Sequence, residues 1–544
     1  MRFQKETVIL AAIAVLSAVL VLFFSFAFPL HQHGDNCGYM ILGMAFAQGK
    51  GFVDISQPSM PHFLWWPPGF PLFISAFFKI FGPWWYVLKT LLFIGLFVTL
   101  YFFARYIYKK EKSLFAASAI LCALGFSSAL HLMSSYLYSE IYFVICSILF
   151  FILWDRWNKK LTVTKIAVLS LCALYIGTIR NIGLALPLAF ALYLGFKLKR
   201  NDKKALRLSF LFPLVLIIGY ASAALVAPGF QIGSFGAFFG VKTYEHQRGI
   251  ENGETQTARS SHGSNRKTSE VFINKIRKIG FSLRGYMLTL IPQTLLRTSY
   301  YSFPMSKTKA LLTAIITIIV LIGWYTSISP YPLPALYTFV YMGVLLFYGP
   351  LYIRLLVPIV PFLFVYLYRG IRAIIGWKIK KPVLATSLIA LLWTGVVADN
   401  AYWTFSMPRK DMKASFSDRQ YQKALQWAII NIGKDDIVAC QTNHYLFLMR
   451  DALTVPVESI HSQKDVFNLL KANNVRYLIV TKVTGRRYDT QWKIVEDVIK
   501  QNKERFMVVF GDPETGTYIV KYVPDTHQSP QRPAEMHTFL GIMN

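Results

Sequence analysis

Residues 31–52 read HQHGDNCGYMILGMAFAQGKGF, and residues 58–82 read PSMPHFLWWPPGFPLFISAFFKIFG. A long apolar run at 7–29 precedes them, and a carboxylate, Asp35, stands a few residues past its end. Across 37–47 apolar residues recur at helical spacing, which predicts a short helix lying along a membrane surface. Gly49 and Gly51 end that helix, and Pro67-Pro68-Gly69 breaks the chain again before a second apolar stretch. The pattern holds a carboxylate at a bilayer surface between two interfacial helices. Asp35 also suits the plainer role of capping the first of them.

Composition supports the membrane reading. Of 544 residues, 54% are hydrophobic and only 15% charged, where a soluble domain carries about 25% charged. The chain is therefore read as a polytopic α-helical membrane protein. Five cysteines in this length rule out a disulfide scaffold. A span needs about 20 mostly apolar residues. Eleven stretches qualify, near 7–29, 84–104, 113–130, 138–154, 165–179, 181–196, 208–228, 310–327, 333–349, 352–368 and 382–404. Arg2 and Lys5 give the first the look of a signal peptide. Its length and the lack of a small-residue cleavage site favour an uncleaved span.

Lys and Arg exceed Asp and Glu by 57 to 27, a net charge of +30. Most of that excess follows topology. With a cytoplasmic N-terminus, the inside loops carry Arg105, Lys109, Lys110 and Lys112, then Arg156, Lys159, Lys160 and Lys165. The next two hold Lys197, Lys199, Arg200, Lys203, Lys204 and Arg207, and then Arg369, Arg372, Lys378, Lys380 and Lys381. The short outside connections hold almost nothing, among it Lys50, Arg180 and Arg354. Basic charge sorted this way excludes nucleic acid as the partner. Three larger segments then lie outside: loops 30–83 and 229–309, the latter polar across 249–269, and the tail from 405. The tail reads as a small soluble α/β domain, with helices near 420–432, 463–474 and 492–501. Its strands are expected near 437–439, 477–481, 506–510 and 517–523. The expected division is a transmembrane domain over 1–404 and an outer α/β domain over 405–544.

No Gly-rich phosphate loop, nucleophile elbow, Asp-x-Asp triplet or His-Glu-x-x-His helix occurs, which argues against a nucleotide-driven pump and a metal-held nucleotide sugar. Cys122, Cys146 and Cys172 lie within spans as small apolar fillers, while Cys37 and Cys440 both fall outside. His31, His33 and Asp35 have metal-like spacing but too few ligands for a site. A divalent metal is a possible cofactor without an assigned ligand set.

The run Asp35-x-x-x-Tyr39, Gly49-x-Gly51, Trp66-Pro67-Pro68-Gly69-Phe70-Pro71 and Phe81-Gly82 resembles the GT-C membrane glycosyltransferases. It is similar to the bacterial branch related to protein O-mannosyltransferases and aminoarabinose transferases. Ser139-Glu140, Thr178-Ile179-Arg180-Asn181-x-Gly183 and Arg354-Leu355-Leu356-x-Pro358 follow in the same order, and an outer domain closes the chain. The resemblance implies the GT-C fold and transfer of a sugar from a polyprenyl-phosphate carrier to an acceptor glycan, lipid or protein. It implies inversion at the sugar, with Asp35 as the base, because an acceptor hydroxyl needs one at the anomeric carbon.

Arg354 suits the lipid phosphate, since guanidinium grips phosphate in a fork. Arg180 either joins it or snorkels at the interface. Glu140 either orients substrate as a second acidic group or forms a structural pair with an arginine. Tyr39, His62 and Trp66 are the further candidates for substrate contact, with an interfacial belt the alternative for the tryptophans. Two departures bear on the substrate. Trp66 stands where aminoarabinose transferases carry Lys, and Asn36 follows Asp35 where protein mannosyltransferases carry Glu. The rival functions are a secondary transporter or lipid flippase, and a glycan polymerase or ligase. The inside-loop bias suggests a bacterial plasma membrane with the C-terminal domain outside.

Overall fold

The computed structural model describes residues 2–26, 35–62, 66–198, 268–296, 307–348, 351–414, 416–441, 443–457, 460, 462–481 and 489–524. The expected span 208–228, most of the polar stretch 249–269, and His31 and His33 lie outside these residues. The first nine helices are α1 (Arg2–Phe24), α2 (Asp35–Ala47), α3 (Gly69–Phe81), α4 (Trp85–Glu111), α5 (Leu114–Gly125), α6 (Ser128–Ser135), α7 (Ser139–Trp157), α8 (Val163–Ile179) and α9 (Ala185–Leu198). Later helices are named by their residues. The chain forms two compact units. One comprises Met1–Phe28, Leu64–Phe73 and Trp84–Pro408, and the other Pro29–Phe63, Ile74–Pro83 and Arg409–Asn544.

The first unit is helical. Among the described residues, five helices are long and apolar enough to cross a membrane: Lys5–Phe24, Trp85–Glu111, Lys307–Ser327, Val357–Lys378 and Pro382–Ser406. The helices Val163–Ile179, Asn181–Phe196 and Pro332–Phe347 are apolar but shorter. The stretch expected as one span at 113–130 is two helices, α5 and α6, bent by 44°. Phe126 and Ser127 leave helical geometry there. Thr404 Oγ1 donates to the Phe126 carbonyl at 2.7 Å, satisfying a group that the break exposes.

Charge gathers at one end of this helix set. Glu111, at the end of α4, pairs with Arg369 and, at 3.0 Å, with Arg372. The Tyr331 hydroxyl donates to the same carboxylate at 3.0 Å, and Arg369 also donates to the Thr326 carbonyl at 2.7 Å. Asp155, near the end of α7, pairs with Lys110 at 2.5 Å. These links put the ends of α4, α7 and Val360–Lys378 on one side, as the basic-loop count expects. The helices Lys307–Ser327 and Val360–Lys378 cross with backbones nearly touching. A Cβ on Gly323 would lie 1.7 Å from the Tyr366 carbonyl oxygen, and one on Gly370 would lie 2.0 Å from that of Ile319. Small residues let helices approach this closely where burial from water provides no drive between them.

The second unit holds a five-stranded sheet. Its strands are β1 (Ile437–Cys440), β2 (Thr454–Pro456), β3 (Val475–Val480), β4 (Phe506–Asp512) and β5 (Thr517–Tyr522), in the order β2-β1-β3-β5-β4. β1 pairs in parallel with β2 and β3, and β5 pairs antiparallel with β3 and β4. Alternate side chains serve opposite faces, as strand geometry requires. Val438, Cys440, Ile479 and Ile519 pack with Ala424, Leu425 and Ala428 of the helix Phe416–Asn431. Ala439, Leu478, Val480 and Val520 pack with Val466 and Leu470, from Gln463–Ala472, and with Val495 and Val498, from Asp489–Gln501. A helix, Asn443–Arg450, and the short β2 were not expected. α2 belongs to this unit. Ile41 and Ala45 pack with Ile55 and with Phe447 of that unexpected helix. Cys37 and Cys440 are both buried, and neither forms a disulfide.

Candidate active site

In the first unit, Arg180 sits where two helices meet. It is extended (φ −146°, ψ 148°) between the end of α8 and a short 3-10 turn, Asn181–Leu184. Its surroundings leave no room for the turn to move. A Cβ on Gly183 would lie 2.8 Å from the Ile176 carbonyl oxygen, and one on Gly69 would lie 2.7 Å from Thr178 Oγ1 and 2.8 Å from Ile179 N. The Pro-Pro-Gly break therefore rests directly on the residues before Arg180. Two tyrosines reinforce the contact. Tyr175 donates to the Gly69 carbonyl at 3.1 Å, so the 2.9 Å bond between the two hydroxyls has Tyr142 as its donor. The Phe73 ring stacks on Tyr142 with centroids 4.2 Å apart.

This turn delivers the guanidinium to the start of α7. Arg180 Nη1 lies 2.5 Å from Glu140 Oε1 and donates to Ser139 Oγ at 3.2 Å. Glu140 is 2% exposed. The arginine pairing that the residues offered for Glu140 is present, and the partner is Arg180. Arg354 lies in the 3-10 turn Ile353–Leu355, which Tyr341 holds by donating to the Leu355 carbonyl at 2.7 Å. Its guanidinium carbon is 5.9 Å from the centre of the Tyr138 ring, two residues before Glu140. Cation–π attraction favours this placement. Arg180 thus meets Glu140 at the start of α7, and Arg354 lies beside Tyr138 just before it; guanidinium is the side-chain group that grips phosphate in a fork.

Asp35, Tyr39 and His62 belong to the second unit, while Trp66, Glu140, Arg180 and Arg354 belong to the first. Asp35 is the first residue of α2 and half-buried. A carboxylate there meets the positive end of the helix dipole. Tyr39 is buried within α2, and His62 is exposed, its backbone bridged to Val53. Among the described residues, no three His, Cys, Asp or Glu side chains form a group that would hold a metal. Sequence reasoning did not single out Tyr138 or the Tyr142–Tyr175 pair.

No family model matches the sequence, and no curated protein is similar to it by sequence. Solved structures are similar in fold. The Archaeoglobus fulgidus oligosaccharyltransferase, solved with a tethered acceptor peptide containing the NVT sequon, matches with a TM-score of 0.53 at 12% identity, over 97% of this chain and 75% of that one. ArnT from Cupriavidus metallidurans, solved bound to undecaprenyl phosphate, matches with a TM-score of 0.53 at 12% identity, over 96% of this chain and 99% of that one. Its apo structure matches equally well. This chain shares its fold with these two proteins.

Proposed function

We propose that the chain is an inverting glycosyltransferase that moves a sugar from a polyprenyl-phosphate carrier to an acceptor hydroxyl on the outer face of the membrane. The observation that carries this reading is that two guanidinium groups stand near the start of α7, Arg180 on Glu140 and Arg354 beside the Tyr138 ring. It occurs on a fold shared with a structure solved bound to undecaprenyl phosphate. As the bond from the anomeric carbon to the phosphate oxygen breaks, charge grows on the phosphate, and preorganised cations stabilise it. Arg354 and Arg180 take that role. Glu140 holds the Arg180 fork and orients substrate. Asp35 accepts the acceptor's proton as its oxygen forms the new glycosidic bond. Tyr39, His62 and Trp66 contribute to sugar and acceptor binding.

In the same reading the membrane domain, 1–404, crosses a bacterial plasma membrane eleven times from a cytoplasmic N-terminus. Residues 405–544 form the soluble outer domain. The test is transfer of labelled sugar from a panel of polyprenyl-phosphate sugars in membranes. Wild type should transfer from at least one donor, and Asp35→Asn should lose about a hundredfold or more, the scale of general-base catalysis. Equal transfer at equal expression would remove Asp35 as the base. If no donor serves and lipid or solute flux appears instead, the transporter reading replaces this one.

A further inference from the structure

Asp54 has no part in the chemistry above, yet it is 3% exposed and heavily bonded. Its Oδ1 accepts the Ser56 amide at 3.0 Å and the Ser56 hydroxyl at 2.6 Å. Its Oδ2 accepts the Gln57 amide nitrogen at 2.7 Å and His444 Nε2 at 2.9 Å. Burial pushes this carboxyl upward, but bonds from His444, Ser56 and Gln57 and the charge of His444 outweigh it and hold Asp54 below its ordinary range. Three of the four donors are local. His444 lies 390 positions away along the chain.

His444 is on the helix Asn443–Arg450, which also carries Phe447, the side chain packed against Ile41 and Ala45 of α2. A third link is backbone. Thr454, on β2, donates its amide to the Ser56 carbonyl at 2.8 Å, so the loop after α2 occupies the outer side of that short edge strand. A side-chain hydrogen bond, an apolar contact and a strand-edge hydrogen bond therefore fasten one segment, 35–57, to the C-terminal sheet. That segment begins with Asp35. A 13-residue helix transmits a shift at its body to its first residue, because its backbone bonds leave little slack.

We propose that Asp54 and His444 are a positioning pair that sets α2, and through it Asp35, on the C-terminal sheet, making residues 409–524 part of the catalytic apparatus. This rests on the reading of Asp35 as the base. The test uses the full chain in lipid nanodiscs with His444→Ala, His444→Gln, Asp54→Asn and Asp35→Asn. Two readouts are taken: steady-state transfer from the donor that wild type uses, and amide hydrogen exchange of residues 36–47. In His444→Ala, kcat should fall about tenfold to a hundredfold, the effect of misplacing a catalytic group. The donor KM should stay within about twofold, because phosphate binding is untouched. Exchange across 36–47 should rise about tenfold or more while β3 and β5 keep their protection. His444→Gln, whose amide reaches like Nε2, should recover most of both.

Unchanged kcat and exchange in His444→Ala would overturn the proposal. So would a loss carried by KM, a His444→Gln variant as impaired as His444→Ala, or exchange rising through the whole sheet. If Asp35→Asn keeps full transfer, the base reading fails and the link to catalysis fails with it. The exchange data would then decide separately whether the pair fastens α2.

Discussion

Glu140 in the first unit and Asp54 in the second are nearly equally covered, at 2% and 3% exposed, and their charges are met differently. Glu140 faces a full cation, Arg180, at 2.5 Å among apolar helices. Asp54 is bonded by a hydroxyl, a backbone amide, a side-chain amide and one imidazole. A buried ion pair carries a desolvation cost that well-packed apolar residues would avoid, so stability alone does not explain it. A carboxylate wrapped in local donors meets its cost with hydrogen bonds. The first arrangement sets a charged pair where two short helices meet the start of α7. The second turns a carboxylate into a fastener between distant parts of the chain.

The largest expected effect breaks the Glu140–Arg180 pair. Arg180→Met leaves a buried carboxylate uncompensated, which should destabilise the first unit by about 3–5 kcal/mol. Under the proposed function, transfer should also fall about 100-fold to 1000-fold, the scale seen when one electrostatic stabiliser is removed. Adding Glu140→Gln should recover most of the thermal stability and none of the transfer. If the double variant regains transfer as well, the pair is structural only, and the contrast with Asp54 disappears.

A smaller effect asks whether charge or backbone packing governs the first unit. Gly323→Ala places a Cβ against the Tyr366 carbonyl with no flexible atom to yield, so the helices must separate. Overpacking of this kind should cost about 1–3 kcal/mol, read as loss of monodisperse protein on heating. Gly343→Ala and Gly376→Ala meet nothing within 4 Å and serve as controls. They should stay within about 0.5 kcal/mol of wild type. Controls that fail together with Gly323→Ala would show general helix fragility instead of a specific crossing.

The smallest effect concerns pH at Asp54. Its carboxyl is held below the ordinary range by His444, Ser56 and Gln57 against burial. The stabilisation it provides is therefore complete above its unfolded value of about 3.9 and is lost as pH falls through the lower folded value. Hydrogen exchange of residues 443–457 should accelerate on acidification below about pH 4, and Asp54→Asn should remove that part of the slope. A slope unchanged by Asp54→Asn would assign it to other carboxylates.

Much of this architecture was legible in residue order. The meeting of two short helices at Arg180 showed as apolar runs either side of one arginine. The helices of the tail showed as helix-like stretches and its strands as short apolar runs, including β3 and β5, whose alternating residues face opposite layers. The bend at Phe126 and Ser127 was not legible. The apolar run continues through it, and the Thr404 hydroxyl that satisfies the freed carbonyl comes from a distant helix. Asn443–Arg450 and β2 were missed because they are short and mix polar with apolar residues, so their patterns fall below any clear period.

Residue order by itself determined which stretches are apolar, where the chain breaks, which loops carry positive charge and which acids and arginines stand at helix ends. Tertiary structure alone decided that Arg180 meets Glu140, that Gly69 rests on Thr178, and that His444 reaches Asp54. Burial of apolar surface is non-directional and selects which face turns inward. Ion pairs and hydrogen bonds need partners within a few ångströms at the right angle. Only the docking of elements far apart in the chain supplies those partners.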